Sequence, residues 1–93
     1  IAYDAFKLTA QGKDTTKIDG LAPDQRFFLG YAQAWRRKTR DEAMLVRINS
    51  DPHSPEIYRV NAPLANFAPF YTAFGVTRTN KMHIPVEKRA KVW

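Results

Sequence analysis

The chain has 93 residues, with fifteen Lys and Arg against nine Asp and Glu, and therefore a net charge of +6. It contains no cysteine, which excludes disulfide bonds and thiolate metal sites. The length is that of one small domain, near the lower limit for burying a core unaided, and no apolar run approaches the roughly 20 residues of a membrane span.

Four short helices are predicted, joined by irregular, proline-rich connections. The first covers residues 1–8 and ends by Gly12, because its apolar residues recur at helical spacing. The second begins at Pro23, a favourable first-turn residue, and Asp24 follows where a helix favours negative charge. Its last turn is predicted to hold three cations that suit the helix dipole: Arg36, Arg37 and Lys38.

The other two helices are predicted from their capping residues. Thr39 and Glu42 have the spacing of a capping box, which predicts a helix ending near Asn49. Asn66 is a natural N-cap for a last helix, and Gly75 suits the position that ends it. Residues 60–64 are predicted to be an extended link between these two helices.

Aromatic residues form a stripe on the second helix and another on the fourth. Stripes of this kind are usually core. They contain more apolar surface than four short helices can bury alone, so we expect the isolated chain to self-associate, most simply as a symmetric dimer through one of these stripes. The stripes are Phe27, Phe28, Tyr31 and Trp35, and Phe67, Phe70, Tyr71 and Phe74.

Residues 51–59 hold the most informative side chains. Pro52 and Pro55 bracket His53, fix their own φ and favour extended geometry before them, which predicts a stiff, non-helical connection. An imidazole near the guanidinium of Arg59 can bind an oxyanion or a carbonyl oxygen. The alternative is that His53 is a turn-capping or exposed residue.

Local zinc chemistry is absent from this sequence. The two histidines, His53 and His83, lie thirty residues apart, and neither belongs to a His-Glu-x-x-His motif. His83 is predicted to lie at the surface, because Pro85 would disrupt a helix that paired it with Glu87.

The positive charge favours anionic partners in principle. Cations cluster at residues 36–40 and 88–91, so a basic helical module that binds nucleic acid is one hypothesis. A solvated basic face is the other interpretation, and the aromatic and glycine signature of an RNA-binding sheet is missing. We therefore expect no nucleic-acid partner. A purely structural interaction segment is a third hypothesis.

The order of the motifs resembles the C-terminal end of the neprilysin family of zinc metalloendopeptidases. The resemblance covers essentially the whole chain. It rests on the aromatic run of residues 27–35, on Asp-x-His-Ser-Pro with its following arginine and asparagines at 51–66, on Phe-x-x-Ala-Phe at 70–74, and on the final Val92-Trp93.

The resemblance implies that residues 1–93 are the C-terminal part of a larger, mainly helical metallopeptidase catalytic domain. The family holds zinc with a His-Glu-x-x-His motif and a Glu-Asn-x-x-Asp motif, which would both precede Ile1. Zinc is thus expected as the cofactor of the parent enzyme, with no metal ligand in this segment. The segment alone is expected to be inactive. Its expected partners are a peptide substrate and the rest of the catalytic domain.

The resemblance also implies two functional residues. His53 matches the family histidine that stabilises the transition state, and Arg59 matches the arginine that binds a substrate carbonyl. Animal members tend to carry cysteines at three positions occupied here by Arg36, Val76 and Ala90. Their absence predicts a bacterial-type enzyme, which is compatible with a secreted, periplasmic or cytoplasmic location.

Overall fold

The computed structural model describes residues 1–91, and they are mainly helical, as predicted. Within that range the extended structure is limited to one isolated bridge between Ile18 and Leu21. No helix in this part of the chain is long and apolar enough to cross a membrane. The elements are α1 (Ala2–Leu8), α2 (Ala10–Lys13), α3 (Pro23–Ala34), α4 (Asp41–Ser50), α5 (Glu56–Ala65), α6 (Ala68–Phe74) and a short 3-10 helix (Val86–Lys88).

Helices α1, α3, α4 and α6 correspond to the four predicted helices, but several of their ends differ from the prediction. Helix α3 ends at its C-cap Trp35, so the three cations that follow lie in the connection to α4. The N-cap of α4 is Arg40, and the capping box predicted from Thr39 does not form. Phe67, rather than Asn66, is the N-cap of α6. Gly75 does end α6, in the left-handed conformation with φ 60°.

Helix α5 was not predicted, and the extended link expected at residues 60–64 is wrong. The helix begins after Pro55 and contains Pro63. A proline in a helix removes the hydrogen bond to the carbonyl four residues earlier, here that of Arg59. That carbonyl accepts a hydrogen bond from the Tyr31 hydroxyl at 2.9 Å instead. A side chain of α3 thus supplies the donor that Pro63 lacks.

The core is an aromatic cluster around Phe28, which is 2% exposed. Its ring lies against rings of α1, α3 and α6 and against the ring of the residue that caps α6. The two predicted stripes therefore pack on each other. Aromatic pairs of this geometry each contribute about 0.5–1.5 kcal/mol beyond the area they bury. The neighbouring rings are Tyr3, Phe27, Phe67, Phe70 and Phe74, with centroids 5.4 to 6.4 Å from that of Phe28.

Polar contacts join α1 and α6 to α3. Asp24 accepts hydrogen bonds from the Tyr3 hydroxyl and the Lys7 ammonium, both at 2.9 Å, which joins α1 to α3. Burial, followed by the bond to Asp24, raises the pKa of Tyr3 to about 12. The stability contributed by the protonated hydroxyl is therefore present below pH 10 and is lost as pH rises through about 12. Gln25 Nε2 donates to the Ala73 carbonyl at 2.9 Å and joins α3 to α6.

Large apolar side chains remain exposed, mostly outside the aromatic stripes. They concentrate on α4 and on the first turn of α5. None of the ten residues of α4 is buried. The exposed fractions are 63% for Leu45, 65% for Val46, 60% for Ile48, and 62% for both Ile57 and Tyr58.

Because the two aromatic stripes pack on each other, the surface that we expect to mediate self-association of the isolated chain is α4 rather than one of the stripes. Sedimentation equilibrium at tens of micromolar should give a mass above that of one chain. Leu45→Lys combined with Ile48→Lys should restore the mass of one chain, because lysines on that face oppose apolar burial. Leu8→Lys on α1 is the matched control and should leave association unchanged. A wild-type chain at the mass of a monomer would contradict the prediction.

Candidate active site

His53 lies in the five-residue loop between α4 and α5, in a turn built by Asp51. The Asp51 Oδ1 atom accepts the backbone N–H of His53 at 2.9 Å and also lies 2.9 Å from His53 Nδ1. Pro52 and Pro55 restrict the backbone on either side. The imidazole is 66% exposed, so this carboxylate orients a ring that is otherwise open to solvent. The non-helical connection predicted from residue 51 is correct as far as residue 55 and wrong from Glu56 onward.

Arg59 is held by the C-terminal end of α3. Its guanidinium carbon lies 4.6 Å from the ring centroid of Trp35, a cation–π contact. Its backbone carbonyl is the one that accepts from Tyr31. The side chain and the backbone of Arg59 are thus fixed by two residues of one helix end.

His53 and Arg59 line one open cleft with a volume of about 450 Å³. The cleft lies between the end of α3, the end of α4 and the start of α5. It is lined by four arginines and two acidic residues, so the net charge of its lining is positive even before the histidine is counted. The lining residues are Ala34, Trp35, Arg36, Arg37, Arg47, Asp51, His53, Glu56 and Arg59.

Ion pairs join the cleft's acids to its arginines. The Arg47 Nη1 atom donates to Glu56 Oε2 at 3.0 Å, and Arg37 Nη1 donates to Glu56 Oε1 at 3.1 Å. The Arg47 Nη2 atom lies 3.6 Å from Asp51 Oδ2. The hydrogen bond from Arg47 lowers the pKa of Glu56, and the backbone and side-chain bonds from His53 lower the pKa of Asp51. The stability that these carboxylates contribute is therefore present above their ordinary pKa values and is lost as pH falls through the lowered ones.

A sequence model described as Peptidase family M13 matches residues 1–90. The chain belongs to peptidase family M13. Its predicted resemblance to the neprilysin family is thereby confirmed.

Relatives of this M13 chain come from animals and bacteria. Neprilysin-3 of Drosophila melanogaster is 36% identical over 99% of the chain and 12% of its own length. The neutral endopeptidase of Lactococcus lactis subsp. lactis strain IL1403 is 37% identical over 92% of the chain and 13% of its own length. The M13 chain thus spans about an eighth of the curated relatives it matches.

A solved structure has the same fold as this M13 chain. The zinc metalloprotease Zmp1 of Mycobacterium tuberculosis, determined in an open state, superposes with a TM-score of 0.90 at 38% identity. The match covers 99% of the M13 chain and 14% of Zmp1. A segment of this larger protein therefore has the same helical arrangement as the M13 chain.

The cleft of the M13 chain does not fit a zinc ion. Residues 1–91 contain no group of three or more His, Cys, Asp or Glu side chains that could hold a metal. A zinc site needs three or four convergent ligands, and the cleft offers one histidine and two carboxylates already engaged with cations.

His83 lies away from the cleft of the M13 chain, and it is half-buried rather than at the surface as predicted. Its ring packs on Tyr71 with a centroid distance of 5.7 Å. It lines a separate pocket with Arg78 and Glu87. The predicted C-terminal motif, Val92-Trp93, lies outside the described residues.

Sequence reasoning missed three residues that support the site: Tyr31, Trp35 and Arg47. The two aromatic residues are predicted only as core, because helical spacing does not show that Arg59 of α5 contacts the end of α3. Arg47 and Asp51 are four residues apart, a spacing that brings side chains together on a helix, and this signal could have identified the pair.

Proposed function

We propose that this chain is the C-terminal part of the catalytic domain of an M13 zinc metalloendopeptidase that hydrolyses oligopeptides. In this proposal His53 stabilises the transition state and Arg59 binds a main-chain carbonyl of the substrate. The observation that carries it is that both side chains line one cleft, each fixed by its own contacts. The relatives named as peptidases support the reaction class.

The proposed role of His53 follows from its ring orientation. Attack of water on a peptide carbonyl places negative charge on the carbonyl oxygen, and a fixed donor there lowers the barrier. With Nδ1 bound to Asp51, the ring nitrogen left for substrate is Nε2. For Nε2 to donate a hydrogen bond to the substrate oxygen, this nitrogen must carry a proton. Asp51 thus orients the ring.

The proposed role of Arg59 follows from what its guanidinium contacts. The ion pairs of residues 1–91 use other cations, and the Arg59 guanidinium stacks on Trp35 instead. Stacking leaves the planar set of N–H donors available in the cleft. Such donors suit a carbonyl oxygen and fix the register of an extended peptide.

In this proposal zinc is held by the family motifs that would precede this segment. The residues of the present chain bind and orient the substrate and stabilise charge on its carbonyl oxygen.

Arg59→Ala in the full-length enzyme tests the proposal. Loss of a hydrogen bond from a charged donor costs about 1.5–3 kcal/mol, which corresponds to a roughly 10- to 100-fold loss in kcat/KM. Part of the loss should appear in KM, since the contact exists before the transition state. Arg78→Ala, at an exposed arginine of the other pocket, is the matched control and should behave as wild type. An unchanged kcat/KM in Arg59→Ala would overturn the role of Arg59.

A further inference from the structure

Arg47 contacts both ends of the loop that carries His53. Its Nη2 atom lies 3.6 Å from Asp51, the residue before the loop's first proline, and its Nη1 atom lies 3.0 Å from Glu56, the first residue of α5. The Arg47 side chain is 24% exposed, and Glu56 is 16% exposed. One guanidinium therefore bridges the end of α4 and the start of α5, on the two sides of His53.

Packing does not explain how this loop keeps its geometry. Helix α4 has no buried residue, and its Leu45, Val46 and Ile48 side chains are exposed. Within residues 1–91, the ion pair of Arg47 with Glu56 is thus the ion pair that joins α4 to α5, and the pair with Asp51 joins α4 to the loop. Arg37 shares Glu56 but is 57% exposed and does not contact Asp51, so it replaces only part of this link.

We propose that Arg47 is a positioning residue for the peptidase reaction. It holds the Asp51 carboxylate in place, and Asp51 in turn fixes the ring of His53 through Nδ1. This inference rests on the proposed function. It assigns to Arg47 an effect on His53 and none on Arg59, because Arg59 is anchored separately by Tyr31 and Trp35.

The charged groups around His53 make this assignment specific. Asp51 belongs to the loop, Arg47 comes from α4, Glu56 and Arg59 come from α5, and Arg37 precedes α4. When Arg47 is removed, Glu56 keeps Arg37 as its partner. Asp51 loses the cation that lies 3.6 Å from its Oδ2 atom. The disturbance therefore falls on the carboxylate that orients His53.

The test uses the full-length enzyme and the variants Arg47→Met and Arg47→Lys. Misplacing a catalytic group slightly costs large rate factors, so Arg47→Met should lower kcat by about 10-fold. KM should stay within about 2-fold of wild type, since uniform substrate binding is untouched. Arg47→Lys keeps the charge but reaches one carboxylate, so it should recover part of kcat. Arg40→Met, at the exposed N-cap of α4, is the control for loss of a positive charge and should keep the wild-type kcat.

A double variant separates positioning from a general structural effect. Because Arg47 acts through His53, Arg47→Met combined with His53→Ala should be no slower than His53→Ala alone. A further 10-fold loss in the double variant would overturn the inference. If Arg47→Met does not fold, the same comparison is made with Arg47→Lys, alone and combined with His53→Ala.

The outcomes distinguish this inference from the proposed function. A normal kcat in His53→Ala would overturn the proposed function itself. A reduced kcat in His53→Ala together with a normal kcat in Arg47→Met would overturn only the role of Arg47.

Discussion

His53→Ala in the full-length enzyme is expected to lower kcat by about 10²- to 10³-fold, the usual cost of removing one oxyanion donor. KM should change little, because the proposed hydrogen bond forms when negative charge develops on the carbonyl oxygen. The ring is largely exposed and packs on little else, so its removal should not unfold the domain. Steady-state kinetics on a quenched fluorescent peptide, with a thermal unfolding scan, measure both effects.

Two further variants locate the effect at the ring nitrogen. Asp51→Asn weakens the contact that orients the ring, and its kcat should fall between wild type and His53→Ala. His83→Ala, at the other histidine, should retain the wild-type kcat, because that side chain lines a different pocket. A normal kcat in His53→Ala would show that the oxyanion role is wrong.

Phe28→Ala is expected to have the largest effect on folding. Replacing a buried phenylalanine with alanine costs about 3–5 kcal/mol, whereas the free energy of unfolding of a chain this size is about 5–14 kcal/mol. Phe28 is 2% exposed and contacts rings from three helices, so no neighbouring residue can fill the space without breaking other contacts. Urea unfolding of the chain, followed by far-UV circular dichroism, measures the loss.

The matched control is Phe74→Ala, at a ring of the same cluster that is 37% exposed. Phe74→Ala should lower the free energy of unfolding clearly less than Phe28→Ala does, because part of the Phe74 ring is already in water. Equal losses in the two variants would contradict the assignment of Phe28 as the centre of the core.

The sequence predicted the parts of the fold that depend on local pattern. Helical spacing of aromatic residues located α3 and α6, and Gly75 marked the end of α6 because a residue without Cβ adopts positive φ easily. Helix α5 was missed because Pro63 normally breaks a helix. The donor that offsets its missing N–H comes from Tyr31, thirty-two residues earlier in the chain, and no local pattern indicates that contact.

For the candidate site, the sequence likewise indicated the two central residues but not the residues that hold them. The prolines around His53 and the resemblance identified His53 and Arg59, and the structure brings the two residues to one cleft. The residues that hold them were not predicted. Trp35 contacts Arg59 across twenty-four residues of sequence, and the capping box expected at Thr39 loses to a helix start at Arg40. The contact of Trp35 with Arg59 depends on tertiary packing, which composition and spacing do not encode.

The central claim is that His53 stabilises the tetrahedral transition state, and an inhibitor that mimics this state tests it most directly. A peptide with a phosphinate in place of the scissile amide should bind His53→Ala about 10²-fold more weakly than wild-type full-length enzyme. A product peptide, which carries no tetrahedral centre, should bind both enzymes equally. Equal inhibition constants for the phosphinate, or parallel weakening of both ligands, would contradict the claim.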